Sequence, residues 1–182
     1  GGHIYPAVAV AEALKRKWKE EVEILFVGAE GKMEMEKIPA LGYDIVGLPI
    51  AGLQRRLEPR NLRGPFKTVS SVWKARSIIR DFSADAVVGF GGYASAPVLW
   101  AAQQMGVPTI IQAQNSFAGL TNKMLARSAR RICVAYDEME RFFAADKIIK
   151  TGNPLRGRFA PTKGKSDEAL AHYGLKADMP TL

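Results

Sequence analysis

Apolar runs of strand length and amphipathic stretches of helix length alternate almost throughout this 182-residue chain, separated by short turns rich in Gly and Pro. A strand, a helix and another strand in one sheet make a parallel pair, because the helix carries the chain back to the end where the first strand began. Repeated, that unit gives an α/β fold with a doubly wound parallel sheet covered on both faces. The expected strands are Val22 to Val27, Tyr43 to Leu48, Asp85 to Phe90, Thr109 to Gln112, Arg131 to Ala135 and Lys147 to Lys150. The expected helices are Pro6 to Lys19, Met33 to Leu41, Phe66 to Asp81, Ala96 to Met105, Leu120 to Arg127 and Asp137 to Phe143. A last helix is capped by Ser166 and ends before Gly174, following the usual start and stop signals. Ala51 to Pro65 reads as a loop rich in Arg, Gly and Pro, and Pro154 to Lys165 as a basic linker.

Doubly wound sheets bind ligands at the carboxyl ends of their strands. Two glycine-rich turns fall there: Gly1-Gly2-His3-Ile4-Tyr5-Pro6, and Gly89-Phe90-Gly91-Gly92-Tyr93-Ala94-Ser95-Ala96-Pro97. Each runs straight into a helix. Glycine lets the backbone approach a ligand closely, and a helix start offers unpaired N–H groups with partial positive charge. The pair therefore suits phosphate or diphosphate. His3, at a helix start, can take a proton from a hydroxyl; the plain alternative is a solvated turn histidine. Gly91 and Gly92 supply backbone amides, and Tyr93 and Ser95 supply hydroxyls; the alternative is a tight packing turn. Gln112-Ala113-Gln114-Asn115 closes the next strand with amides fit for sugar hydroxyls, or merely caps a loop. In Thr151-Gly152-Asn153-Pro154-Leu155-Arg156, the Arg156 fork can hold a diphosphate, or it is an exposed linker arginine.

Net charge is +8, which favours an anionic partner. Much of it gathers between Arg55 and Arg80, where Arg55, Arg56, Arg60 and Arg63 precede Phe66, Val69, Val72 and Trp73 at helical spacing. An apolar surface with a basic rim docks on anionic lipid; equally, the stripe is core and the charges are solvated. The run from Ala84 to Val107 is apolar, yet its Asp85, glycines and Pro97 resolve it into strand, turn and helix rather than a membrane span. A single cysteine, Cys133, excludes a disulfide framework and reads as a buried small hydrophobe. His3 and His172 lie far apart in sequence, so no metal site is expected. No Walker-type phosphate loop and no nucleic-acid module is legible, and no cofactor is expected. The chain opens inside a glycine turn and stops at Met179-Pro180-Thr181-Leu182 as an extended run begins, so it reads as cut from something longer.

Four segments then act together: Gly-Gly-His-Ile-Tyr-Pro-Ala-Val-Ala-Val-Ala, Gly-Phe-Gly-Gly-Tyr-Ala-Ser-Ala-Pro, Gln-Asn-Ser-Phe-Ala-Gly-Leu-Thr-Asn-Lys and Thr-Gly-Asn-Pro-Leu-Arg, in that order. In them the chain closely resembles the N-terminal domain of the MurG family of peptidoglycan glycosyltransferases, over nearly all its length. The resemblance implies a GT-B architecture of two Rossmann-like domains facing a cleft. It implies transfer of N-acetylglucosamine from UDP-GlcNAc to the 4-hydroxyl of the muramoyl sugar of lipid I (undecaprenyl-pyrophosphoryl-MurNAc-pentapeptide), inverting the anomeric centre and giving lipid II. Residues 1–153 would be the acceptor-binding domain, and residues 154–182 the interdomain linker, capped helix and start of the donor-binding domain. His3 matches the family's loop histidine, the candidate catalytic base. Gly1, Gly2, Asn115 and Arg156 match donor-side positions. Gly91, Gly92, Tyr93, Ser95 and Gln114 match positions near the acceptor and its diphosphate. Arg55, Arg56, Arg60, Arg63, Phe66 and Trp73 match a membrane-facing region, which implies a peripheral protein on the cytoplasmic face of the bacterial inner membrane.

Three departures accompany the match. Ala113 stands where the family usually has a carboxylate. The family's first strand, central in the sheet, is missing, which would leave two facing strand edges. The donor domain is missing too, so the fragment is not expected to turn over alone. The competing reading is a non-catalytic, membrane-docking half that needs a separate donor-binding chain.

Overall fold

The computed structural model describes residues 2–50, 64–156 and 166–174, the side chains of 64–69 and 166–169 aside. The elements are α1 (Ile4–Trp18), β1 (Leu25–Ala29), α2 (Glu34–Lys37), β2 (Asp44–Leu48), α3 (Gly64–Asp81), β3 (Val87–Gly89), α4 (Ser95–Gln104), β4 (Thr109–Ala113), α5 (Leu120–Ala126), β5 (Arg131–Val134), β6 (Ile148–Lys150) and α6 (Ser166–Tyr173). Every strand pair is parallel. β1 pairs with β2 in one sheet, and β3-β4-β5-β6 lie in that order in a second.

Among the described residues, β1, β2, β3 and β6 each keep one edge unpaired, and two sheets stand where one was expected. A shared core spans the break. Val27 of β1, Leu48 of β2 and Val87 of β3 pack with Ala75 and Ile79 of α3 and Val98, Ala101 and Ala102 of α4. A second core lies along the four-stranded sheet, where Leu99, Ile111, Ile132, Val134 and Met139 are essentially buried. Each large aliphatic side chain so buried contributes roughly 1.5–3 kcal/mol. A third holds α1 against α2, through Ile4, Val8 and Ile38.

Of the boundaries that differ from the sequence expectation, three have a clear local reason. The first strand starts at Leu25 rather than Val22, because β2 offers its first partner only at Asp44, opposite Leu25. β3 starts at Val87 rather than Asp85, since its neighbour β4 begins only after Pro108, whose carbonyl receives Val87 N–H at 2.9 Å. The helix expected over Asp137 to Phe143 shrinks to a 3-10 turn at Met139–Arg141, preceded by Glu138 in left-handed conformation (φ 58°). A segment so short cannot offset helix nucleation, and its apolar residues Met139 and Phe143 are drawn into the core instead. The helix expected over Met33 to Leu41 breaks at Ile38, before Pro39, into α2 and a 3-10 turn at Pro39–Leu41, and Gly42, at φ 79°, ends that turn where the stop signal put it.

Candidate functional site

A cavity of about 460 Å³ opens at the carboxyl ends of the strands. Its wall combines His3 from the first glycine turn, Phe90 to Tyr93 and Ser95 from the second, Gln112 to Asn115 at the end of β4, and Phe117 to Asn122 leading into α5. Turns distant in sequence meet there because parallel strands all deliver their loops to the same edge.

The two glycine turns touch. His3 is the N-cap of α1 and makes no side-chain cap bond. Its imidazole lies against Gly91: a Cβ built at Gly91 would stand 2.9 Å from both Cε1 and Nδ1 of the ring. Gly91 and Gly92 both adopt left-handed backbone, at φ 93° and 80°. That conformation costs other residues about 1–2 kcal/mol, so glycine is the default there. Gly89 is constrained otherwise. An added Cβ would lie 2.4 Å from Leu99 Cδ1 and 2.7 Å from Ser95 Oγ.

α1 and α4 both begin at this wall, with N-caps His3 and Ala94, and neither has an acidic residue in its first turn. Their N–H ends thus present uncompensated partial positive charge. Ser95 opens α4, and its Oγ is buried with no hydrogen-bond partner. A buried hydroxyl without a partner on the wall of a cavity is a ready donor to an incoming oxygen. Tyr93 is half-exposed, with Lys32 Nζ 5.9 Å from its ring centroid.

Neutral amides tie the rim together. Gln114 Nε2 donates to the Phe90 carbonyl at 3.2 Å, Asn153 Nδ2 to the Gln114 carbonyl at 3.4 Å, and Gln112 Nε2 to the Gly152 carbonyl at 3.3 Å. Gln114 therefore serves the architecture as well as lining the cavity. Asn115 is exposed on the wall. Ala113 is buried and also lines it.

The expected site is only partly assembled. Gly2 is exposed and, like Arg156, is not part of the wall. The Arg156 guanidinium stacks on the Tyr5 ring instead, 4.5 Å from its centroid. Gly1, Arg55, Arg56, Arg60 and Arg63 lie outside the described residues, as does the Phe66 side chain. Trp73 of α3 is 70% exposed, so the core reading of that position does not hold, whereas Ala75 and Ile79 on the same helix are buried. Cys133 is half-buried away from the cavity; burial raises its thiol above the usual range, against the pull of a Thr151 hydrogen bond. Sequence reasoning passed over Phe117, Leu120, Thr121 and Asn122 as wall residues. Their signal was the Gly-Leu-Thr-Asn-Lys run, a loop exit and helix start on the same sheet edge.

The model of the glycosyltransferase family 28 N-terminal domain matches residues 1–134. The chain is 53% identical over its full length to a Bacteroides fragilis protein named UDP-N-acetylglucosamine--N-acetylmuramyl-(pentapeptide) pyrophosphoryl-undecaprenol N-acetylglucosamine transferase, covering 48% of it. It is equally similar, at 53%, to the protein of the same name from Cytophaga hutchinsonii, covering 49% of that one. The chain thus spans about half the length of the curated relatives it matches. Among solved structures it resembles Acinetobacter baumannii MurG, with TM-score 0.68 and 30% identity over 88% of this chain and 45% of that one. A UDP-N-acetylglucosamine 2-epimerase follows at TM-score 0.60 and 16% identity over 84% of this chain and 43% of that one, a likeness of fold alone.

Proposed function

The chain belongs to glycosyltransferase family 28 through that family's N-terminal domain, and from this premise we propose that it is the acceptor half of the inverting N-acetylglucosaminyltransferase that makes lipid II. Its substrates are UDP-GlcNAc and lipid I. Residues 1–153 form the acceptor-binding domain; residues 154–182 lead toward a donor-binding domain. The observation that carries the reading is the meeting of His3 with Gly91, Gly92 and the unpartnered Ser95 hydroxyl on one cavity, at the starts of two helices.

The chemistry follows from that placement. The diphosphate of the lipid-linked acceptor lies against the amides of Gly91 and Gly92 and the Ser95 hydroxyl, with Tyr93 at the rim and Gln114 holding the turn. The 4-hydroxyl oxygen of the muramoyl sugar attacks C1 of N-acetylglucosamine while the C1–O bond to UDP breaks. UDP departs with the bonding pair, the His3 imidazole takes the hydroxyl proton, and the new linkage is β. Asn115 faces the donor sugar across the cleft, with Gly1 and Gly2 beside it. Arg156 meets the UDP end from its place on Tyr5.

The same half carries the membrane contact, on the cytoplasmic face of the inner membrane. Exposed Trp73, the stretch holding Arg55, Arg56, Arg60, Arg63 and Phe66, and a described rim of Phe117, Leu120 and Met124, exposed by 64–75%, support it. The contact proposed is peripheral; no helix of the described residues is long and apolar enough to cross a membrane.

The test is transfer from labelled UDP-GlcNAc to a short-chain lipid I analogue, by this chain completed with a family donor domain. His3→Ala is expected to lower turnover about 10²–10⁴-fold, the usual contribution of a positioned base. Turnover within a few-fold of the parent removes His3 from that role.

A further inference from the structure

A diphosphate brings more than one full negative charge into the cavity, and no Lys or Arg among the described residues of the wall answers it. Among those residues His3 is the one basic side chain. Helix ends supply only about half a charge each. Two cations nevertheless wait on aromatic residues of that wall. Lys123 Nζ sits 4.9 Å from the Phe117 ring centroid and 4.4 Å from that of Phe142. Lys32 Nζ sits 5.9 Å from the Tyr93 centroid. Phe117 and Tyr93 both line the cavity, whereas Tyr43 and Trp18, the rings under Lys15 and Lys17, do not. Lys74 and Lys150 are engaged by Glu30 and Asp137, but among the described residues neither Lys123 nor Lys32 has an ion pair.

We infer that Lys123, with Lys32 as a second cation, leaves its ring to bind the diphosphate of the lipid-linked acceptor, closing a charged clamp over the cavity. The inference rests on the reading that this cavity receives that diphosphate. A lysine suits such a clamp, being a point charge on a flexible four-carbon stem. At an exposed site a ring face holds an ammonium less strongly than a phosphate oxygen does. The aromatic rest position keeps the charge beside the mouth without filling it. Lys123 also gives a purpose to the last residue of the Gly-Leu-Thr-Asn-Lys run, which the site otherwise leaves unused.

The experiment titrates the chain with geranyl diphosphate by calorimetry, comparing the parent with Lys123→Met, Lys123→Arg, Lys32→Met and Ser95→Ala. Methionine keeps the apolar stem on the rings and removes the charge, so an unchanged thermal midpoint certifies the fold. Lys123→Met is expected to weaken binding about ten- to a hundredfold and to flatten its salt dependence. Lys32→Met should weaken it about three- to tenfold, and Lys123→Arg should stay within about threefold of the parent. If Ser95→Ala weakens binding while Lys123→Met stays within twofold, the clamp is overturned and the cavity reading survives. If the parent binds no geranyl diphosphate, both fall.

Discussion

The two glycine turns that meet at the cavity hold their glycines for different reasons. In the second turn the fold itself demands them. A side chain at Gly89 would strike Leu99 and Ser95, and Gly91 and Gly92 occupy left-handed backbone. In the first turn an added Cβ at Gly2 would meet nothing within 4 Å. Nothing in the packing of the described residues asks for glycine there. A requirement at Gly2 would therefore come from outside the described residues, and a ligand that the backbone must approach is one source of it.

Substitutions can break that contrast. The largest expected effect is Gly89→Ala, since Leu99 is 1% exposed and has no room to yield; overpacking of this kind costs about 2 kcal/mol, lowering the thermal midpoint by about 6 °C. A midpoint within 1 °C of the parent would show that the second turn is looser than its geometry. Gly91→Ala comes next. Its φ of 93° costs about 1–2 kcal/mol, and the His3 ring must swing off the turn. A histidine NMR resonance that does not move would break the link between the turns. Gly2→Ala comes last, expected within about 0.5 kcal/mol of the parent by chemical denaturation. Should it unfold the chain, the two turns are alike after all; should it spare stability and impair transfer, the ligand-imposed reading gains.

Much of this arrangement was legible because parallel α/β folds punctuate themselves. Gly42 and Gly174, both at positive φ, close the segments they follow, and Pro6 falls in the first turn of α1. Alternation alone then fixed which loops share an edge, and that brought His3, Gly91, Ser95 and Asn115 to one wall. What stayed hidden depends on partners far along the chain. Leu25 starts β1 only because Asp44 stands opposite. Arg156 stacks on Tyr5, a contact no local pattern records. Periodicity over residues 137–143 matched a helix, yet burial of Met139 and Phe143 outweighed it. Lys123 ends the Gly-Leu-Thr-Asn-Lys run, but its place over two rings belongs to tertiary structure.

The amide links among Phe90, Gln112, Gln114, Gly152 and Asn153 contain no ionisable group. Acid, alkali within the ordinary range, or high ionic strength leaves such bonds as they are. The mouth should hold its outline in buffers that would loosen a rim built from charge pairs. Any acidity profile seen in ligand capture then reports on the ligand and the charged groups that grip it, not on this amide scaffold changing shape.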